Sequence, residues 1–167
     1  GEVEARVAQG IGALAEEKYR LYWDNIVMWF NLGGLARKFN SAGAALVAST
    51  YSEMFGYDQL DSSRPLEGIA EYCCLAFPNR SLEYKANRIR EIVDEYSIDA
   101  LVLHFTRSCK AFSLHQYMFQ NVVSRRKGIP AIMIEGDMVD SRYFSEGATD
   151  TRIDALLESL AAKKGIG

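Results

Sequence analysis

The stretch from His104 to Gln116, HFTRSCKAFSLHQ, sets Cys109 among Arg107, Ser108 and Lys110, just ahead of a run with helical spacing. Nearby cations and a helix amino-terminus both favour a thiolate, the form of cysteine that attacks carbon or binds a metal. Local composition leaves three readings of Cys109: a small loop residue filling space, a nucleophile, or a metal ligand. Arg107 and Lys110, taken alone, are more often solvated or capping groups than ligands to phosphate.

The other candidates are weaker. Cys73 continues an apolar stripe of Leu66, Ile69 and Phe77 and is expected to be a buried small hydrophobe. Cys74 lies beside Glu67 and Glu71, towards the rim of that helix. Adjacent cysteines diverge on a helix and the chain has no C-x-x-C pair, so a self-contained zinc or iron–sulfur site is not supported. His104 ends an apolar strand pattern shortly before Cys109, and a Cys–His nucleophilic pair is conceivable. His115, in the first turn of the following helix, reads as a surface residue. Glu135, Asp137 and Asp140 cluster after another strand, where carboxylates orient a base, bind a cation or, most often, cap a turn.

These residues must be positioned by alternating elements. A strand is expected near Arg20 to Asp24, then a helix from about Leu32 to Ser41 ending at Gly43, and AALVAST (44–50) reads as a buried parallel strand. A turn-rich passage with Gly56, Asp58, Asp61, Ser62, Ser63 and Pro65 leads to a helix from Leu66 to about Ala76, stopped by Pro78. The clearest helix carries Leu82, Ala86, Ile89, Val93 and Tyr96 on one face. Residues 99–105 and 130–137 are further buried strands. They flank a helix over 113–128 with Ser113 as its cap and Gly128 after its end, and a last helix runs from Ser145 to about Lys164. The pattern predicts an α/β fold: a Rossmann-like or flavodoxin-like open, mostly parallel sheet of about four strands with helices on both faces. In such sheets ligands meet the carboxyl ends of the strands, here after Asp24, Thr50, Phe105 and Glu135. No Gly-x-Gly-x-x-Gly or Walker loop occurs there, and NLGG (31–34) is a weak substitute.

The 167 residues fit one domain, with 49% hydrophobic and 25% charged residues and only 3 prolines, as in an ordinary globular protein. A formal charge of -3 gives no global field that would draw the chain to nucleic acid or an anionic membrane. No apolar run approaches the roughly 20 residues that span a bilayer, and the first residues lack the order of a signal peptide. Three cysteines, two of them adjacent, argue against a disulfide framework. The expectation is a cytoplasmic protein.

At EEKYRLYWDNIVMWFNLGG (16–34), NRSLEYKANRIREIVDEYSIDALVLHFTRSCKAFS (79–113) and GIPAIMIEGDMVDSRYFSEGATDTRIDALLE (128–158), the sequence resembles the 2-hydroxyacyl-CoA dehydratase family, which includes benzoyl-CoA reductase subunits. RSCK and EGDMVDSRYFSE are its more specific segments. The resemblance implies that residues 1–167 form a single α/β domain, the carboxy-terminal part of a longer subunit. It also implies a [4Fe-4S] cluster held by three cysteines, of which Cys109 matches the last, with Arg107, Ser108 and Lys110 around it. The other two ligands belong to an amino-terminal region, and Cys73 and Cys74 do not match them. Implied partners are a second dehydratase subunit, an ATP-hydrolysing iron–sulfur activator and an acyl-CoA substrate. In the dehydratases one electron reaches the thioester carbonyl of an (R)-2-hydroxyacyl-CoA. The ketyl radical expels the 2-hydroxyl, and proton loss with return of the electron gives the enoyl-CoA. Two departures stand out: His115 replaces a glycine common in the family's S-x-G-Q, and SEGATD replaces a common SEAQ.

Overall fold

The computed structural model describes residues 1–54 and 60–165; Gly56 and Asp58 of the turn-rich passage lie outside them. The elements are α1 (Glu2–Ala8), β1 (Tyr19–Asp24), α2 (Leu32–Ser41), β2 (Ala44–Ser49), α3 (Thr50–Met54), α4 (Pro65–Leu75) and α5 (Leu82–Glu95). Then come β3 (Ala100–Thr106), α6 (Lys110–Ser113), α7 (Gln116–Phe119), α8 (Arg125–Lys127), β4 (Ala131–Gly136) and α9 (Glu146–Lys164), with a π turn over Gln120–Ser124.

The four strands are all parallel and lie in the order β2-β1-β3-β4. This is the flavodoxin-type arrangement rather than the Rossmann one, and its strand order reverses between β1 and β3. Strand periodicity sorts the side chains. Tyr19, Leu21, Trp23, Ala100, Val102 and Ile134 pack on one face against Leu35 and Phe39 of α2 and Ile153, Leu156 and Leu160 of α9. Tyr22, Leu101 and Leu103 face the other way, onto Ala86, Ile89, Ile92 and Val93 of α5 and Phe112, Phe119 and Val123. Helices therefore cover both faces, as the alternating pattern predicts.

Three local expectations are corrected. Strand β2 is not buried throughout: Leu46 is exposed and Val47 to Ser49 are half-buried, because β2 is an edge strand with a bulge opposite Leu21 and Tyr22. The stripe on α4 does not reach the core, since Leu66, Ile69 and Cys73 are exposed and only Phe77 beyond the helix is buried. An apolar stripe marks a face that needs a cover, and here the sheet is already covered by α5 and α6–α8. Finally, the helix expected over 113–128 starts earlier, at Lys110 after Cys109, and is interrupted at Leu114 and His115 before resuming. Its end is as expected, with Gly128 left-handed at φ 64.

Candidate functional site

Cys109 lies in the connection from the carboxyl end of β3 to α6, beside the point where the strand order reverses. That crevice is where open α/β sheets bind ligands. The thiol is half-buried against the cluster that contains Phe77 and Phe112, while Arg107, Ser108 and Lys110 are exposed.

The backbone of this segment is fastened at several points. Arg107 N donates to Gly136 O at 3.1 Å, and Cys109 N donates to Thr106 O at 3.2 Å. Asp137 Oδ2 accepts from Ser108 N at 3.2 Å, while its Oδ1 accepts from Val139 N and Asp140 N at 3.1 and 3.2 Å. Asp140 in turn caps Arg142 N at 3.0 Å. These carboxylates are caps, as their type and place suggest, and the Ser108 and amide bonds hold Asp137 down to about 2. Glu135 instead pairs with Arg107 at 2.5 Å, and the Arg107 guanidinium also lies 5.0 Å from the Tyr143 ring centre. Arg107 thus carries a matched charge, whereas Lys110 has no carboxylate partner among the described residues.

Ser113 does not cap the helix. Its hydroxyl donates to Thr106 O at 2.7 Å, tying the first turn of α6 to the end of β3. His115 is buried at 3% exposure, contrary to a surface position. The stripe of Phe112, Phe119 and Val123 runs through positions 115 and 116, and the helix face it marks is the core face. Burial, with the positive charge of Lys85 behind it, pushes the imidazole down to about 4, although a bond to the Ala111 carbonyl favours its charged form. Its Nε2, buried and without a hydrogen-bond partner among the described residues, lies 3.9 Å from Asp24 Oδ2. Because His115 is neutral at ordinary pH, this contact is not an ion pair.

His104 is fully buried and bonds Ile26 O through Nδ1 at 2.5 Å, so the proton sits on Nδ1, and burial lowers its pKa. Its ring is committed to the segment after β1, and among the described residues it makes no bond to Cys109. That removes the geometric support for a Cys–His nucleophilic pair.

Beneath Cys109 lies a polar group that residue types had not singled out. Asp24, at the end of β1, is fully buried; its Oδ1 accepts from Thr50 Oγ1 at 2.5 Å and its Oδ2 from Gln116 Nε2 at 3.1 Å. Gln116 Nε2 also donates to His104 O at 2.6 Å, where Asn25 Nδ2 adds a bond at 2.8 Å. Tyr22 completes the chain through Thr50 at 2.7 Å. Burial raises Asp24 to about 6 against the opposing pull of the Thr50 and Gln116 bonds and the Lys85 charge. Lys85 is lowered by its own burial, and its ammonium donates to Pro78 O at 2.9 Å. Two signals for this group were present: Lys85 and Gln116 both interrupt apolar helix stripes, between Leu82 and Ile89 and between Phe112 and Phe119.

Among the described residues no three His, Cys, Asp or Glu side chains gather as a metal-binding group, and Cys73 and Cys74 are exposed on α4. Cys109 can therefore supply one corner of a metal centre and no more. No helix among the described residues is long and apolar enough to cross a membrane.

The chain is 32% identical over 98% of its length to a benzoyl-CoA reductase subunit of Thauera aromatica, covering 40% of that protein. It is 29% identical over 96% of its length to the alpha subunit of lactoyl-CoA dehydratase of Anaerotignum propionicum, covering 38%. To the alpha subunit of (R)-phenyllactyl-CoA dehydratase of Clostridium sporogenes it is 34% identical over 89% of its length, covering 36%. The chain thus spans well under half the length of these curated relatives. The family model described as 2-hydroxyglutaryl-CoA dehydratase, D-component, matches residues 1–160, and the chain belongs to that family.

Proposed function

We propose that this chain is the carboxy-terminal α/β domain of a cytoplasmic 2-hydroxyacyl-CoA dehydratase subunit, and that Cys109 supplies one thiolate to a [4Fe-4S] cluster. The observation that carries the reading is the place of Cys109, half-buried at the carboxyl end of β3 beside the strand-order reversal, in a chain matched to this family over residues 1–160. The fit is to a single ligand, so the remaining thiolates belong to chain outside these residues. When bound, such a cluster supplies the low-potential electron for eliminating water from an (R)-2-hydroxyacyl-CoA to give the enoyl-CoA.

The residues described have supporting parts in that scheme. Asp137 and Gly136 fix the backbone that carries Cys109. The apolar cluster that includes Phe77 and Phe112 packs against Cys109 and covers part of it from water. Lys110 supplies the nearby positive charge that stabilises a more negative, reduced centre, a part that Arg107, matched by Glu135, fills less well. The partners of the assembled enzyme are a second dehydratase subunit, an ATP-hydrolysing iron–sulfur activator and the acyl-CoA.

A second reading is favoured by the likeness to the benzoyl-CoA reductase of Thauera aromatica: a subunit that reduces an aromatic acyl-CoA with the same kind of electron source. Anaerobic reconstitution of the 167-residue chain with iron and sulfide tests the ligand assignment. Labile, substoichiometric iron that is lost in Cys109→Ser is expected. A stable four-iron cluster, or iron binding indifferent to Cys109→Ser, overturns it.

A further inference from the structure

The buried polar group under the Cys109 segment joins the ends of three strands to the helix that Cys109 begins. Gln116 lies two turns into that helix, and its single amide nitrogen reaches both the His104 carbonyl of β3 and the Asp24 carboxylate of β1. Asp24 continues the connection through Thr50, just past β2, and on to Tyr22. Ser113, one turn earlier, bonds the Thr106 carbonyl at 2.7 Å. The connection from Thr106 to Lys110 is thereby closed into a short span with both ends anchored. Helical continuity gives way at Leu114 and His115 and again in the π turn over Gln120–Ser124, and such rewinding is frequent at functional sites.

A fully buried carboxylate without a cation in hydrogen-bond contact is costly to keep, and an apolar residue of similar size would pack there without that cost. We infer that Asp24 and Gln116 are positioning residues, which hold the Cys109 thiol in register with the strand ends without touching it. This rests on the reading of Cys109 as the functional thiol. The groups facing Asp24 are Tyr22 on β1, Thr50 on α3, Lys85 on α5, and His115 and Gln116 on the helix after Cys109.

The test uses the 167-residue chain without iron, so its outcome is independent of whether Cys109 binds a cluster. The rate at which 4,4′-dithiodipyridine modifies Cys109 is followed by peptide mass spectrometry from acid to neutral pH, with the exposed Cys73 and Cys74 as internal references. Gln116→Leu, which leaves Asp24 and the His104 carbonyl without that donor, is expected to speed Cys109 relative to Cys73 and Cys74 by roughly tenfold, as a lost buried bond favours local opening. Asp24→Asn is the neutral analogue of the protonated carboxyl, accepting from Gln116 and turning a donor towards Thr50, so its Cys109 rate is expected to match wild type at acid pH and to depart from it near neutral pH. The wild-type Cys109 profile is expected to inflect near pH 6 and the Asp24→Asn profile is not, a difference that a purely structural role would not produce. If Gln116→Leu does not fold, the Asp24→Asn profile decides alone. An unchanged Cys109 rate in folded Gln116→Leu, or identical profiles in wild type and Asp24→Asn, overturns the inference.

Discussion

Asp24 and His115 lie 3.9 Å apart, both buried, and their effects on stability run in opposite directions over the same range of pH. Asp24 is raised from 3.8 to about 6, so the folded chain holds its proton more tightly than the unfolded chain does. Its contribution is fully present below the unfolded value and is lost as pH rises through the folded one. His115 is lowered from 6.5 to about 4; its contribution is present above the unfolded value and is lost as pH falls through the folded one. At 1.36 kcal/mol per pH unit, each amounts to on the order of 3 kcal/mol at most. Between about pH 4 and pH 6.5 the two therefore nearly cancel in the wild type. Asp24→Asn leaves only the histidine: its stability is expected to rise by on the order of 3 kcal/mol across that range and to exceed wild type at pH 7. His115→Leu leaves only the aspartate, and its stability should fall as pH rises through the same range. Urea unfolding at closely spaced pH values, read as the difference between each variant and wild type, isolates these slopes from background carboxylates. Asp24→Asn and His115→Leu curves that both run parallel to wild type would refute the reasoning.

Two further outcomes concern the fastening of the Cys109 segment. Asp137→Ala frees the amides of Ser108, Val139 and Asp140 and should cost about 1–3 kcal/mol by urea unfolding at pH 7. In the wild type that contribution should persist above 3.8 and fade as pH falls through about 2. Gly136→Ala would place a Cβ 2.9 Å from Met28 Sδ and 3.5 Å from His104 Nε2; overpacking of about 1–3 kcal/mol is expected, read as a lower thermal midpoint.

Much of the fold was legible because strands and helices bury faces with different periods. Residues 99–105 and 130–137 read as buried strands and form β3 and β4; β3 is buried, whereas β4, at the sheet edge, is only partly buried. Of the expected helix face, Ala86, Ile89 and Val93 lie in the core while Leu82 and Tyr96 are exposed. Where the reading failed, the cause was non-local. An apolar stripe states which helix face wants a cover and not whether one is present, so Leu66, Ile69 and Cys73 were expected inside and lie outside. His115 was read from the polarity of its side chain, whereas Phe112 and Phe119 decide which way that position faces. Ser113 has the residue type of a cap, but the helix begins at Lys110, which leaves its hydroxyl for the Thr106 carbonyl.

The sequence by itself determined the layered α/β class, the strand-to-helix location of Cys109 and, through RSCK and EGDMVDSRYFSE, the family. Each of these depends on local periodicity or contiguous residues. Only the tertiary structure decided the order β2-β1-β3-β4, which puts the ends of β1 and β3 side by side. That adjacency brings Asp24, His104 and Gln116 together across long stretches of chain; the pairing of β3 with β4 matches Arg107 with Glu135, and among the described residues Lys110, beside Cys109, has no carboxylate partner. Burial then sets the charge states of Asp24 and His115, because the cost of a charge depends on the surroundings that distant segments supply.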